Sequence, residues 1–198
     1  MKSDLSVRKE LVRVGRFLRD HGYIVASDGN LSARLNRNGF LITPAGRDKG
    51  ALTPGSLVRV KIGKETSVSK TASTELFFHS AIYANRPDTG AVVHAHPPFL
   101  TGFALAKFDL SKPLLPEIVV TVGKIGLVEY RKPGSKELAR MVGEAITDHN
   151  ALILTNHGAI TVGKDLTEAL WRLERCELLA RAVAIARLLS GEEPLSDK

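Results

Sequence analysis

The sequence predicts an α/β fold in which helices pack on the faces of a sheet. Three observations carry this. Apolar residues recur at spacings of three and four near both ends of the chain, as on the buried face of a helix. Short β-branched runs bounded by Gly, Pro and Asn occupy much of the middle. The two kinds of segment are interleaved, and several strand-like runs lie close enough to pair as hairpins.

Each element follows in order. Residues 5–20 read as a helix, with Val7, Leu11, Val14 and Leu18 on one face and Arg8, Arg13, Arg16 and Arg19 on the opposite, solvated one. Leu31–Leu35, Phe40–Thr43 and Leu57–Ile62 read as strands, separated by the turn Asn36–Gly39 and the Pro- and Gly-rich stretch 44–55. Residues 74–85 read as a helix with Leu76, Ile82 and Tyr83 on its packed side. Ala91–His96 is a strand ended by Pro97-Pro98, and two further short strands are expected within 117–130. A helix follows at 135–149, then strands at 151–155 and 159–162. The last helix is predicted from Leu166 to Ser190, with Ala169, Leu173, Cys176, Ala180 and Val183 along its buried stripe.

Composition bounds the function. A length of 198 residues suits one domain, 1–198, and 43% apolar with 25% charged residues is a globular balance. No apolar run approaches the roughly 20 residues of a membrane span. The first twenty residues are charged throughout and carry no signal-peptide core, so a cytoplasmic location without membrane partners is expected. The single cysteine, Cys176, excludes a disulfide frame and a multi-cysteine zinc site within one chain. The net charge of +7 favours anionic partners. Nucleic acid is disfavoured among these, because aromatics total 6% and are not interleaved with the basic residues.

The chemistry gathers on a few residues. His94-Ala95-His96 places two imidazoles two apart on a strand, hence on one face, where both can bind one metal ion. His157, before Gly158 and after the strand-like run 151–154, supplies a candidate third ring, and three neutral imidazoles with an open position form a catalytic zinc arrangement. Gly158 is expected to let the backbone turn sharply there. Glu75 lies at the start of the helix before the His94 strand, where a capping acid is the plainer alternative. Ser73-Thr74-Glu75 opens a helix and offers hydroxyls and free N–H groups to an anion. Ser27-Asp28-Gly29-Asn30 and Thr43-Pro44-Ala45-Gly46 are two further turns of small and amide residues. The run from Gly158 to Asp165 imitates a nucleotide-binding loop, but Asp165 stands where Ser or Thr must hold magnesium and the loop is β-branched, so no such site is expected.

The stretches GNLSARL (29–35), LITPAG (41–46), STELFFHSAIYANRPDTGAVVHAHPP (73–98) and TNHGAITVGKDLTEALWRLERCELLARA (155–182) together resemble the class II aldolase/adducin family. The resemblance implies a three-layer α/β/α domain around a mainly antiparallel sheet, a homotetramer with sites between subunits, and one divalent zinc ion per chain. It implies His94, His96 and His157 as metal ligands and Glu75 as catalytic acid/base. Ser27, Gly29, Asn30, Gly46, Ser73 and Thr74 match the region that holds the substrate phosphate. The implied reaction cleaves a fuculose-type ketose phosphate into dihydroxyacetone phosphate and an aldehyde through a metal-stabilised enediolate. Glu75 matches the aldolases rather than the epimerases, which have Asp there. The family tyrosine expected near 114–120 is missing, so the proton donor to the leaving aldehyde is unassigned, with Glu117 or a water as substitutes. Dehydration, decarboxylation or epimerisation of a related sugar phosphate or sugar acid at the same metal site is the alternative. A non-catalytic module like the adducin head is the second, and three histidines with Glu75 retained argue against it.

Overall fold

The computed structural model describes residues 3–68, 70–189, 191 and 193–195. Seven strands form one sheet. Asn30–Asn36 (β1), Gly39–Ile42 (β2), Val58–Lys61 (β3), Ala91–Ala95 (β4), Ile125–Val128 (β5), Ala151–Leu154 (β6) and Gly158–Gly163 (β7) lie in the order β3-β2-β1-β4-β7-β6-β5. Every neighbouring pair is antiparallel except β5 with β6, which is parallel. The sheet is therefore mixed and mainly antiparallel, as expected.

Alternation along the strands divides the core in two. Leu31, Ala33, Val93, Ala95, Ile153 and Ala159 face one side. They meet helices Asp4–Asp20 (α1), Pro98–Leu105 (α3), Pro116–Thr121 (α4) and Leu166–Leu189 (α6). Phe40, Ile42, Val92, Leu152, Leu154, Ile160 and Val162 face the other side, under Leu76–Asn85 (α2) and Lys136–Ala145 (α5). The result is three layers, α/β/α.

Local chemistry explains the helices. Ser3 accepts from the Ser6 N–H and starts α1, and Ser135 does the same for α5 through the Leu138 N–H. Val7, Leu11, Val14 and Leu18 are buried as expected, and so are Ala169, Leu173, Cys176, Ala180 and Val183 on α6. Ser190, the expected end of α6, lies outside the described residues. Arg8 departs from the solvated face assigned to it: its guanidinium donates to the Pro54 and Leu57 carbonyls.

Proline opens two helices where the sequence predicts none. Pro97-Pro98 ends β4 but also begins α3, and of the two strands expected in 117–130 the first is the helix α4, opened by Pro116. Proline at the first helical position costs no hydrogen bond and presets φ. That outweighs the β-branched run Ile118-Val119-Val120.

Candidate metal centre and its carboxylate

His94 lies near the end of β4, His96 just past it, and His157 in the turn between β6 and β7. Because β4 pairs with β7 in the register Ala95↔Ala159, the strand end and the turn are brought side by side. The His96 N–H donates to the Tyr23 carbonyl and the Asn156 N–H to the Ala104 carbonyl of α3, which pins both segments. Each of the three rings offers a nitrogen within 4.8 Å of the others. The His94 and His96 Nε2 atoms are 3.3 Å apart.

Gly158 does not act as the sharp turn expected of it. The left-handed residue is Asn156, at φ 58°. A Cβ on Gly158 would lie 2.4 Å from His96 Cδ2 and 2.6 Å from the Ala95 carbonyl oxygen, so Gly158 leaves room for a ligand ring. Gly29 is required twice over: its φ is +66°, and a Cβ there would fall 2.8 Å from the His94 carbonyl oxygen.

Glu75 occupies the N-cap position of α2 but makes no capping bond with its side chain. The carboxylate turns inward. Oε2 accepts from Asn30 Nδ2 at 2.9 Å and lies 3.1 Å from His94 Nε2. Oε1 is buried without a hydrogen-bond partner, 3.5 Å from His157 Nε2.

The hydrogen bonds fix which atoms carry protons. His94 Nδ1 lies 2.9 Å from the Ala159 carbonyl oxygen, which can only accept, so Nδ1 is a donor and the ring is held by that edge. Its Nε2 faces a Glu75 carboxylate oxygen and the His96 Nε2. Burial, with His94 adding to it, pushes His96 down to about 3 and His157 down to about 4, so both rings are neutral near pH 7. Burial alone would raise the Glu75 carboxyl. The imidazoles of His94 and His157 and the Asn30 amide outweigh it and hold the group well below the usual carboxylate range. Three imidazole nitrogens beside an ionised carboxylate, one of whose oxygens is orphaned, form a donor set that suits a divalent cation. Two nitrogens bound to one tetrahedral zinc ion are separated by roughly 3.3 Å, the spacing of the His94 and His96 nitrogens.

The other predicted residues frame this cluster. Ser27 and Gly46 are exposed on their turns, Thr74 is exposed and Ser73 is buried. Pro44 and Ala72 form an isolated bridge that joins the 43–46 turn to the 71–74 turn. Lys49 Nζ ties the third turn in by donating to the Ser27 and Arg47 carbonyls. Asn30 is nearly inaccessible, and its amide is committed to Glu75 and His79. Glu117 is exposed on α4.

Lys49, His79, Ser32 and Tyr83 were not singled out for the site from the sequence. Lys49 sits in a loop whose closure no local pattern reveals. The other three did leave a signal: Glu75, His79 and Tyr83 recur every four residues on a helix otherwise apolar on that face, opposite Asn30 and Ser32 on a strand.

The sequence profile described as Class II Aldolase and Adducin N-terminal domain matches residues 9–184. The 3-oxo-tetronate 4-phosphate decarboxylase of Escherichia coli strain K12 is 33% identical over 198 residues, covering 98% of this chain and 92% of its own. The L-fuculose phosphate aldolase of Methanococcus maripaludis is 39% identical over 172 residues, covering 87% of this chain and 93% of its own. Among solved structures, YgbL from Escherichia coli superposes with a TM-score of 0.90 at 31% identity, covering 99% of this chain and 96% of its own. The L-fuculose-1-phosphate aldolase from Thermus thermophilus does so at 0.83 with 32% identity, over 98% of this chain and 100% of its own.

Proposed function

The chain belongs to the class II aldolase and adducin family, and from that premise we propose that it is a metal-dependent carbon–carbon lyase acting on a small phosphorylated sugar or sugar acid. Decarboxylation of a 3-oxo acid phosphate is the favoured reaction. Cleavage of a phosphorylated ketose, the reaction expected from the sequence, is the second reading.

The observation that carries the proposal is a single buried carboxylate, Glu75, at the three-imidazole cluster, with Oε2 against Asn30 and His94 and an unpaired Oε1 facing His157. His94, His96 and His157 would hold the cation, with zinc the reading from three neutral nitrogen donors. Such an ion, when bound, polarises the substrate carbonyl and offsets the charge that develops as the bond breaks. In decarboxylation the carbon–carbon bond breaks towards the retained carbon, carbon dioxide leaves, and one proton is taken up. Glu75, ionised at rest, takes up one proton from solvent and passes it to the carbon left with the electron pair. Aldol cleavage asks for more: a second group must accept the proton of the hydroxyl that becomes the aldehyde. Among the described residues, Glu75 is the one buried carboxylate at the cluster. The 39% identity to a fuculose phosphate aldolase supports the second reading.

The turns bearing Ser27, Gly29, Asn30, Gly46, Ser73 and Thr74 would hold the phosphate, with Asn30 contributing backbone only, because its amide is in use. Binding energy there would position the reacting carbons. Residues 1–198 are read as one domain, working as a homotetramer in the cytoplasm.

One experiment tests the proposal. Purified protein is assayed for bound metal, then given 3-oxo-tetronate 4-phosphate and, separately, L-fuculose 1-phosphate. About one zinc-like ion per chain and release of carbon dioxide from the first substrate are expected. Dihydroxyacetone phosphate from the second alone selects the aldol reading, and full activity without metal overturns both. Glu75→Gln should keep its metal and lose turnover by about 100-fold or more; unchanged turnover removes Glu75 from its role.

A further inference from the structure

A polar seam runs through the otherwise apolar layer between β1 and α2. Asn30, Ser32 and Arg34 alternate on one face of β1, and Glu75, His79 and Tyr83 recur every four residues on the facing side of α2. Asn30, Ser32, Glu75, His79 and Tyr83 are all buried. Burying five polar side chains in a core is costly unless each finds its partner. Here each finds one, with only Glu75 Oε1 left over, and the partners set a direction.

The direction follows from which atoms can donate. Asn30 Nδ2 lies 2.9 Å from Glu75 Oε2, and an amide nitrogen can only donate. Its Oδ1 then faces His79 Nε2 and accepts, so the His79 proton lies on Nε2. Burial pushes His79 down to about 3, so the ring is neutral and Nδ1 carries a lone pair. Ser32 Oγ, 2.7 Å from Nδ1, donates to it. With its proton spent, Ser32 Oγ accepts from the Tyr83 hydroxyl at 2.9 Å. Every hydrogen bond in the chain points the same way, from Tyr83 to Glu75. At the far end Arg34 closes the seam, with its guanidinium over the Tyr83 ring and donating to the Tyr83 carbonyl.

We propose that Tyr83, Ser32, His79 and Asn30 form a one-way relay that clamps Glu75 by Oε2, and that His79 is thereby the positioning residue that leaves Oε1 as the oxygen carrying the catalytic proton. The inference deepens the function proposed above and rests on Glu75 being the proton carrier. The geometry has a direct consequence. A carboxylate with two equivalent free oxygens can rotate; one held at Oε2 by a fixed amide presents Oε1 in one place. Oε1 is also the oxygen that lacks any partner in the protein. His79 makes no hydrogen bond to the imidazole cluster, and its link to the predicted substrate turns is the Asn30 amide, through which it acts on Glu75.

Two variants and one spectrum test this. His79→Leu removes both ring nitrogens at similar bulk. His79→Gln keeps an N–H that reaches Asn30 Oδ1. With whichever substrate the protein turns over, His79→Leu should lower kcat by roughly 10-fold to 100-fold, the scale of a misplaced catalytic group, with KM and metal content unchanged. His79→Gln should recover most of the loss. A folded, metal-loaded His79→Leu with wild-type kcat overturns the relay, and so does a His79→Gln variant as slow as the leucine one. In the unaltered, zinc-loaded protein, 15N NMR should show His79 protonated at Nε2 and bare at Nδ1; the opposite tautomer overturns the relay even if the leucine variant fails to fold. Glu75→Gln is run beside them. Wild-type turnover in that variant defeats the proposed function itself, whereas lost turnover there with an unaffected His79→Leu defeats the relay alone.

Discussion

At the scale of single residues, the cluster depends on what is missing from Gly158 as much as on what His96 supplies. A methyl group at 158 would stand 2.4 Å from the His96 ring and 2.6 Å from a backbone oxygen. The ring can swing but the Ala95 carbonyl is held in the β4–β7 pairing, so Gly158→Ala should displace His96 and strain that pairing locally. Metal affinity is then expected to fall about 10-fold to 100-fold, the range seen when a ligand's support is lost. Competition with a zinc-chelating dye measures it, and an unchanged affinity would show that His96 has slack. The metal-binding candidates were legible in the sequence because strand periodicity alone puts His94 and His96 on one side. The reason for Gly158 was not legible: a glycine needed for clearance looks the same in sequence as one needed for a turn. Nor was the work of Asn30. Its amide is taken up by Glu75 and His79, and both partners lie more than forty positions away.

Among the elements, α3 links the cluster to the rest of the protein. It begins immediately after His96, and its first N–H groups have no partners of their own. Glu177, buried on α6, accepts from the Phe99 and Leu100 N–H groups at 3.2 and 2.9 Å and is itself paired with Arg181. A distant carboxylate thus caps a helix that has no cap in its own sequence. Glu177→Ala should lower unfolding stability by about 1–2 kcal/mol, as for other lost caps. The shift in urea midpoint reads it, and no shift would mean that water replaces the carboxylate. This arrangement also shows why α3 and α4 escaped sequence reading. Both open on proline, which reads as a breaker until the first turn is recognised as the place where proline belongs. Elements with long periodic faces, α1 and α6, were legible because the signal repeats over several turns. A helix of eight residues or fewer repeats it too little to outweigh local β-branching.

For the molecule as a whole, the buried histidines make stability depend on acidity. Burial holds His79, His96 and His157 at about 3, 3 and 4, while in the unfolded chain each would take a proton near 6.5. Below pH 6.5 the unfolded chain therefore binds more protons, and stability drains away as pH falls towards 4; above 6.5 the contribution is complete. The depressed carboxyl of Glu75 adds a loss of the same sign below its ordinary value of 4.5. For the fully buried His79 alone, the loss at pH 5 is about 2 kcal/mol. Urea midpoints of chelator-treated protein at pH 7 and pH 5 should differ accordingly, and equal midpoints would mean that the rings are protonated in place. The layered fold was legible because its pattern is spread over the whole chain. The single parallel pairing was not, since strand order is settled by packing rather than by any one run. The two rims of the sheet are unlike. The β3 rim bears Arg59 and Lys61, whose charges discourage another chain from adding to it. The β5 rim, Ile125-Gly126-Leu127-Val128, has no such guard and leaves Leu127 partly in solvent. When this protein is heated or crowded, unwanted strand addition would therefore begin at the β5 border, at the far end of the sheet from the charged one.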